Sequence, residues 1–197
     1  MESRRATTMT SERRRRIGDA GVTVIARDGV RKLTHRSVDE QSGLPAGSTS
    51  YYARTRRELL ALIVDRLADY TAEDLALLRI PTALDADSAA EVAQSFLDVL
   101  ARRDDAQAAR FGLLFELRHD EELRRELTVD APVRGPLLMA AESLLEALGV
   151  GDARAAAPDL VAVVDALLMY STSRAAPFDA ATVIRTYLTG LLLRGAR

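Results

Sequence analysis

The sequence predicts an all-α protein of about nine helices, a three-helix head joined by a long helix to a helical body. Three observations carry this reading. Alanine and leucine dominate a chain with 5% aromatic residues and no tryptophan, a bias towards helix over sheet. Apolar residues recur at three- and four-residue intervals in one segment after another. No stretch alternates apolar and polar residues as a half-buried strand does, and no internal repeat is visible.

Residues 1–9 (MESRRATTM) are small, polar and without apolar period, and read as a disordered arm. A first helix is expected from Thr10 or Ser11. Ile17, Ala20, Gly21, Val24 and Ile25 share its buried face, and Gly29 stands just past its end. Leu33 then plugs the core. Thr34 is placed to cap a short helix, His35 to Ser42, with Val38 as its core contact. Gly43 ends that helix and Leu44 turns inward. Pro45 opens a second short helix reaching about Tyr52, as proline's tolerance in a first turn allows. Thr55-Arg56-Arg57-Glu58 is a capping box ahead of Leu59, Leu60, Ile63 and Leu67. A long helix shared by head and body is therefore expected from Arg56 to near Arg79, where Pro81 stops it.

The body continues in helices. Ser88 to Arg103 carries Val92, Phe96, Val99 and Leu100 on one stripe, and Ala106 to Arg118 carries Phe111, Leu114 and Phe115. Glu121 to Leu127 follows, before Pro132, Gly135 and Pro136 break or kink the chain. Leu137 to Leu148 resumes and ends at Gly149 and Gly151. Pro158 to Arg174 and Asp179 to Leu193 complete the chain, separated by Pro177. The domain organisation that results is an arm over 1–9, a head over 10–70 with its motif at 33–52, and a body over 71–197.

Composition excludes several functions. There is no cysteine, hence no disulfide and no thiolate metal site. No apolar stretch follows the N-terminal arginines, so no secretory signal is expected. No run of about 18 apolar residues suggests a membrane span, and a soluble, cytoplasmic protein is expected. Two histidines, no glycine-rich phosphate loop, and no metal-binding histidine pair, paired carboxylates or nucleophile elbow leave little for catalysis. The net charge of −2 hides an asymmetry. Residues 1–60 carry 13 Arg and Lys against 7 Asp and Glu, a net +6, while residues 61–197 carry a net −8. A basic head on an acidic body points to a polyanionic partner. Arg13 to Arg16 supply four of those basic residues, either as phosphate contacts or as a solvated run.

Two short helices joined by a glycine turn match the helix-turn-helix pattern. Within residues 33–60, LTHRSVDEQSGLPAGSTSYYARTRRELL, several linked features coincide. They are the Thr34 cap, the Gly43-Leu44 turn, Gly47-Ser48-Thr49, the Tyr51-Tyr52 pair, and Thr55-Arg56 before Glu58-Leu59. This stretch resembles the TetR family of bacterial transcriptional regulators. It departs from the family's common pattern at Pro45 (often Ser), Ser50 (often Tyr), Ala53 (often Phe) and Arg56 (often Lys, which keeps the charge), and Ser50 implies an operator different from those of better-known members.

The resemblance implies a sequence-specific regulator, by family default a ligand-responsive repressor, that binds a palindromic operator in double-stranded DNA as a dimer. An activator of the same fold, or a helical adaptor without DNA binding, is the alternative. Pro45, Ala46, Gly47 and Ser48 are small enough for close backbone approach to a groove. Thr34, Tyr51 and Tyr52 offer hydroxyls, and Arg56 a charge, to phosphates, unless one of the two tyrosines serves as a partial core residue. Ser50 stands at a base-contacting position. Arg36 either reaches a base edge or pairs with Glu40 one turn on, and His35 is either a contact or merely exposed. Two helices from each subunit can form a four-helix dimer interface: Leu160, Val164, Leu167 and Leu168 with Val183, Ile184, Tyr187, Leu188, Leu191 and Leu192. The same residues can equally serve an intramolecular core. No cofactor is expected. A small-molecule effector is implied, with Phe111, Phe115, Arg118, His119, Met139 and Tyr170 as candidate pocket walls.

Overall fold

The computed structural model describes residues 2–195, with side chains from Thr10 to Arg194. Among the described residues the fold is all-α, as expected, with ten α-helices and no strand. They are α1 (Glu2–Asp28), α2 (His35–Ser42), α3 (Ser48–Tyr52), α4 (Arg56–Leu75), α5 (Ala86–Ala101), α6 (Asp104–Glu116), α7 (Glu121–Leu127), α8 (Arg134–Ala147), α9 (Ala153–Thr172) and α10 (Ala180–Gly195). Short 3-10 turns occupy Val30–Lys32 and Leu117–His119. The chain forms two compact units. The described residues up to Tyr70 join Ala108–Ala131 in the first, and Thr71–Gln107 join the chain from Pro132 onward in the second.

α1 begins at Glu2, ahead of the expected start at Thr10, so the stretch read as a disordered arm has helical backbone. Met1 lies outside the described residues. No glycine or proline interrupts residues 2–17, and a nucleated helix extends at one hydrogen bond per residue fixed.

The first unit is built around a core of Ile17, Val24, Leu33, Val38, Leu59 and Ile63, all fully buried. Two glycines bring α1 against α4. A Cβ on Gly21 would lie 2.5 Å from Ile63 Cδ1, and one on Gly18 would lie 2.8 Å from Arg66 Cβ. Beside them Arg66 is buried, and its Nε donates to Asp19 Oδ1 at 2.6 Å. The Tyr70 hydroxyl donates to the same oxygen at 2.6 Å, and the Arg66 guanidinium stacks 3.8 Å from the Tyr70 ring centroid. Residues 108–131 belong to this unit. Phe111 is buried, and a Cβ on Gly112 would meet Val30 at 3.7 Å. Arg57, at the start of α4, donates to Asp120 at 2.5 Å and to Glu122 at 2.7 Å. Asp120 meanwhile caps α7 through Leu123 N–H.

The capping box forms as expected, with Glu58 N–H donating to the Thr55 hydroxyl at 3.1 Å and Thr55 N–H to Glu58 at 3.3 Å. α4 ends at Leu75, earlier than Arg79. The Arg79 guanidinium folds back to take the carbonyls of Ala76 and Leu78, each at 2.9 Å, so these orphan acceptors are satisfied outside a helix.

In the second unit α5, α8, α9 and α10 share a core that includes Ala89, Ala93, Leu145, Leu160, Ile184 and Leu188. α5 buries Ala89, Ala90, Ala93, Leu97 and Leu100, while Val92, Phe96 and Val99, expected with Leu100 on the buried stripe, are only half-buried, Val92 packing against the same core. Small side chains there allow close helix approach. α8 begins at Arg134, so Pro136 sits in its first turn, where a missing N–H costs nothing. α9 begins at Ala153 under an Asp152 cap and holds Pro158 inside it, where the sequence suggested a start. α10 starts after Asp179, whose carboxylate accepts from Thr182 N–H at 3.0 Å. By length and composition α9 could cross a membrane, and 17% of its most apolar stretch is buried within the chain.

Candidate nucleic-acid interface

α2 is delimited as its flanking residues predict. Thr34 has extended backbone, its hydroxyl accepts from Ser37 N–H at 3.0 Å, and the Ser37 hydroxyl accepts from Thr34 N–H at 2.9 Å. At the other end Gly43 adopts the left-handed conformation, φ 63°, which a side chain resists. Arg16 Nε donates to the Ser42 carbonyl at 2.7 Å, so one member of the arginine run caps α2.

α3 starts at Ser48, not at Pro45. Pro45, Ala46 and Gly47 form the turn before it, and Gly47 is left-handed at φ 88°. The reason lies in α2. Asp39 is buried, and its Oδ2 accepts from Gly47 N–H at 2.7 Å. Its Oδ1 accepts from Thr49 N–H at 2.7 Å and from the Thr49 hydroxyl at 2.6 Å. Burial alone would raise this carboxyl. The bonds from Thr49 and Gly47, with nearby His35, outweigh burial and hold it below the ordinary carboxylate range. At the far end of α3, His35 Nε2 lies 2.8 Å from the Ala53 carbonyl oxygen. His35 and Asp39 are one turn apart on one face of α2 and grip the two ends of α3. Ala53 is itself buried.

What remains outward is small. The Arg36 side chain is 89% exposed and its Nε is 2.8 Å from Glu40 Oε1. Tyr51 is 80% exposed and meets Tyr52 edge-on at 5.1 Å. Thr34, Pro45, Ala46, Gly47 and Ser50 are exposed, and Ser48 is half-buried with its hydroxyl on the Pro45 carbonyl at 2.6 Å. Arg56 is exposed, but its head group is held on the backbone. Its Nη2 donates to Val30 O at 2.8 Å and its Nη1 to Leu33 O. Sequence reasoning missed Asp39 and Thr49. A signal existed, since positions 38, 39 and 42 share the buried face of α2, and a carboxylate there must find donors.

The six pocket candidates fall in both units, Phe111, Phe115, Arg118 and His119 in the first and Met139 and Tyr170 in the second. Phe111 is core of the first unit, Phe115 is exposed, and Arg118 Nε pairs with the ring of adjacent His119 at 2.9 Å. Met139 and Tyr170 belong to the second unit, Met139 exposed and Tyr170 edge-on to Phe178 at 5.3 Å. That unit instead holds an open groove of about 460 Å³ between the end of α4 and α5, lined by Leu77, Leu78, Leu84, Val92, Phe96 and Val99, with Glu91 at its side. Of the ten interface candidates, Leu160, Leu168, Ile184 and Leu188 are buried within the chain, whereas Val164, Leu167, Val183, Tyr187, Leu191 and Leu192 are partly or largely exposed.

A family profile described as the tetracyclin repressor-like C-terminal domain matches residues 83–194. Among solved structures, a TetR-family member from Streptomyces coelicolor A3 is 27% identical, with a TM-score of 0.65 over 91% of this chain and 98% of that one. The multidrug binding protein EbrR, solved with proflavin, is 25% identical, with a TM-score of 0.59 over 91% of this chain and 99% of that one. A transcriptional regulator from Rhodococcus sp. shares the fold at 18% identity, with a TM-score of 0.71 over 92% of this chain and 96% of that one. No curated protein matches the sequence.

Proposed function

The chain belongs to the TetR family of transcriptional regulators, non-enzymatic transcription factors, and from that premise we propose that it represses by binding a palindromic operator as a homodimer and lets go when a small molecule binds. The observation that carries the DNA-binding part is the bracing of α3. Its two ends are tied to α2, and Arg36, Ser50 and Tyr51 are left exposed. A recognition element must be rigid behind and accessible in front.

In this reading Arg36 and Ser50 address base edges. Thr34, Tyr51 and Tyr52 reach phosphates, and Pro45, Ala46, Gly47 and Ser48 keep the turn slim enough to enter a groove. Arg36 exchanges Glu40 for DNA at little cost, since an exposed i, i+4 pair contributes only about 0.2–0.5 kcal/mol. His35 and Arg56 serve by holding the head together.

The dimer forms through α9 and α10, where Val164, Leu167, Tyr187, Leu191 and Leu192, each only partly covered by the subunit's own core, join exposed Val183 in an apolar surface that a second copy covers. A cytoplasmic protein follows from this role, the exposed apolar side of α9 being a subunit interface. The effector enters the groove beside Phe96, and binding favours a dimer that no longer fits the operator. EbrR was solved with proflavin, so planar aromatic cations are the first class to try.

The test is a gel-shift titration against palindromes from the protein's own promoter region at low and high salt. Specific binding that weakens steeply with salt is expected. Equal affinity for random DNA, or none at all, overturns the reading in favour of a helical adaptor.

A further inference from the structure

We propose that Asp39 is the positioning residue that presets α3 for its operator, so that without its carboxylate the protein loses discrimination between operator and random DNA. The inference rests on the DNA-binding reading above and adds a residue that makes no DNA contact of its own.

α3 has five residues, too few to hold helical shape on their own. Its N-cap is Gly47, which has no side chain to accept a hydrogen bond. The acceptor comes from α2 instead. Three donors converge on the Asp39 carboxylate at 2.6–2.7 Å. Thr49 is wholly buried and Asp39 is 5% exposed, so water cannot replace a partner lost between them. Charge-assisted bonds of this length are the stronger class. The arrangement needs a carboxylate. Oδ1 takes both Thr49 donors and Oδ2 takes Gly47 N–H, whereas an asparagine offers one oxygen and sets its own N–H₂ against a remaining donor.

The functional consequence follows from register. Ser50 and Tyr51 are the two residues after the clamped Thr49. A base-edge contact such as that of Ser50 needs its side chain in a fixed place, while the general attraction of the basic head, net +6 over residues 1–60, for phosphates does not depend on the register of α3. Loosening the clamp therefore removes sequence reading and spares general DNA affinity.

The test compares the full-length protein with Asp39→Asn, Asp39→Glu and Thr49→Val in binding to the operator and to random duplex at one salt concentration. Amide hydrogen exchange at Gly47 and Thr49 is followed in parallel. For Asp39→Asn the operator affinity is expected to fall by about tenfold or more, with random-DNA affinity nearly unchanged and both amides exchanging faster. Asp39→Glu, which keeps the charge and acceptor count, restores part of the discrimination. Thr49→Val, which deletes one of the three bonds while keeping the buried shape, shows a smaller loss in the same direction and serves if Asp39→Asn fails to fold. An equal fall on both DNAs would reduce Asp39 to a stabilising residue, and an unchanged operator preference would overturn the proposal outright. If the native protein prefers no palindrome, the DNA-binding reading fails and this inference with it.

Discussion

Arg56 Nη2 lies 2.8 Å from the carbonyl oxygen of Val30, and the same guanidinium donates to the carbonyl of Leu33. The residue that the family resemblance aligns with a phosphate-binding lysine thus clasps the two carbonyls that lead into Thr34 and α2. Arg56→Ala leaves both carbonyls to find water and is expected to lower stability by about 1.5 kcal/mol, within the range for hydrogen bonds to charged groups. Arg56→Lys keeps the charge but loses the fork, so it recovers less than half of that. Thermal denaturation checks both. Full stability in Arg56→Ala with a flatter salt dependence of DNA binding would return the residue to a phosphate contact.

Much of the head is legible from local signals, because its ends are set by neighbours in sequence. Thr34 and Gly43 bound α2, and Thr55 with Glu58 starts α4, each through bonds that span four residues or fewer. The roles of Asp39 and Arg56 are not legible in this way. Their partners lie 8–10 and 23–26 residues away, and only the fold brings them together. The same limit explains the start of α3. Proline's fixed φ suits a first turn, but the Asp39 clamp and left-handed Gly47 delay the helix to Ser48. In the body, periodicity finds apolar stripes without saying what covers them. Ile184 and Leu188 face the subunit's own core, while Val92, Phe96 and Val99 line a groove. Phe111 and Phe115, only four residues apart, end up buried and exposed respectively.

Gly21 is expected to tolerate no side chain. A Cβ there would lie 2.5 Å from Ile63 Cδ1 and 2.7 Å from Cγ1, and Ile63 is fully buried, so its side chain has to repack within the core. Gly21→Ala should destabilise by about 1–3 kcal/mol, the usual cost of overpacking. Adding Ile63→Val removes the Cδ1 atom and should recover part of the loss. A double-mutant cycle in denaturant measures the coupling, and additive effects would mean that α1 and α4 have more room than the geometry allows.

The Asp19–Arg66–Tyr70 cluster predicts a loss of stability in alkali. Burial, followed by the hydrogen bond to Asp19, pushes the Tyr70 phenol up to about 12. A phenol raised in the folded state is protonated there while the unfolded chain has already ionised. Its contribution is complete below pH of about 10, the ordinary tyrosine value, and is lost as pH rises towards 12. Thermal melts across that window should fall more steeply for the native protein than for Tyr70→Phe, which has no phenol to ionise. Parallel slopes would detach Tyr70 from the alkaline transition.

The two sides of α10 should respond differently to substitution. Leu188 is fully buried inside the subunit and Val183 is 43% exposed, although both lie on what the sequence reads as one apolar stripe. Leu188→Ala opens a core cavity and should cost about 2–5 kcal/mol, lowering the melting temperature at any protein concentration. Val183→Glu removes no core contact, so a subunit that folds normally is expected. At a dimer interface, however, it buries a charge facing its own symmetry mate, which no pairing relieves. Sedimentation equilibrium should then show the variant dissociating at concentrations where the native protein remains dimeric, with operator affinity falling because a single head covers only half a palindrome. A native protein that sediments as a monomer, or a Val183→Glu variant that dimerises as tightly as the native chain, would move the interface away from this face of α10.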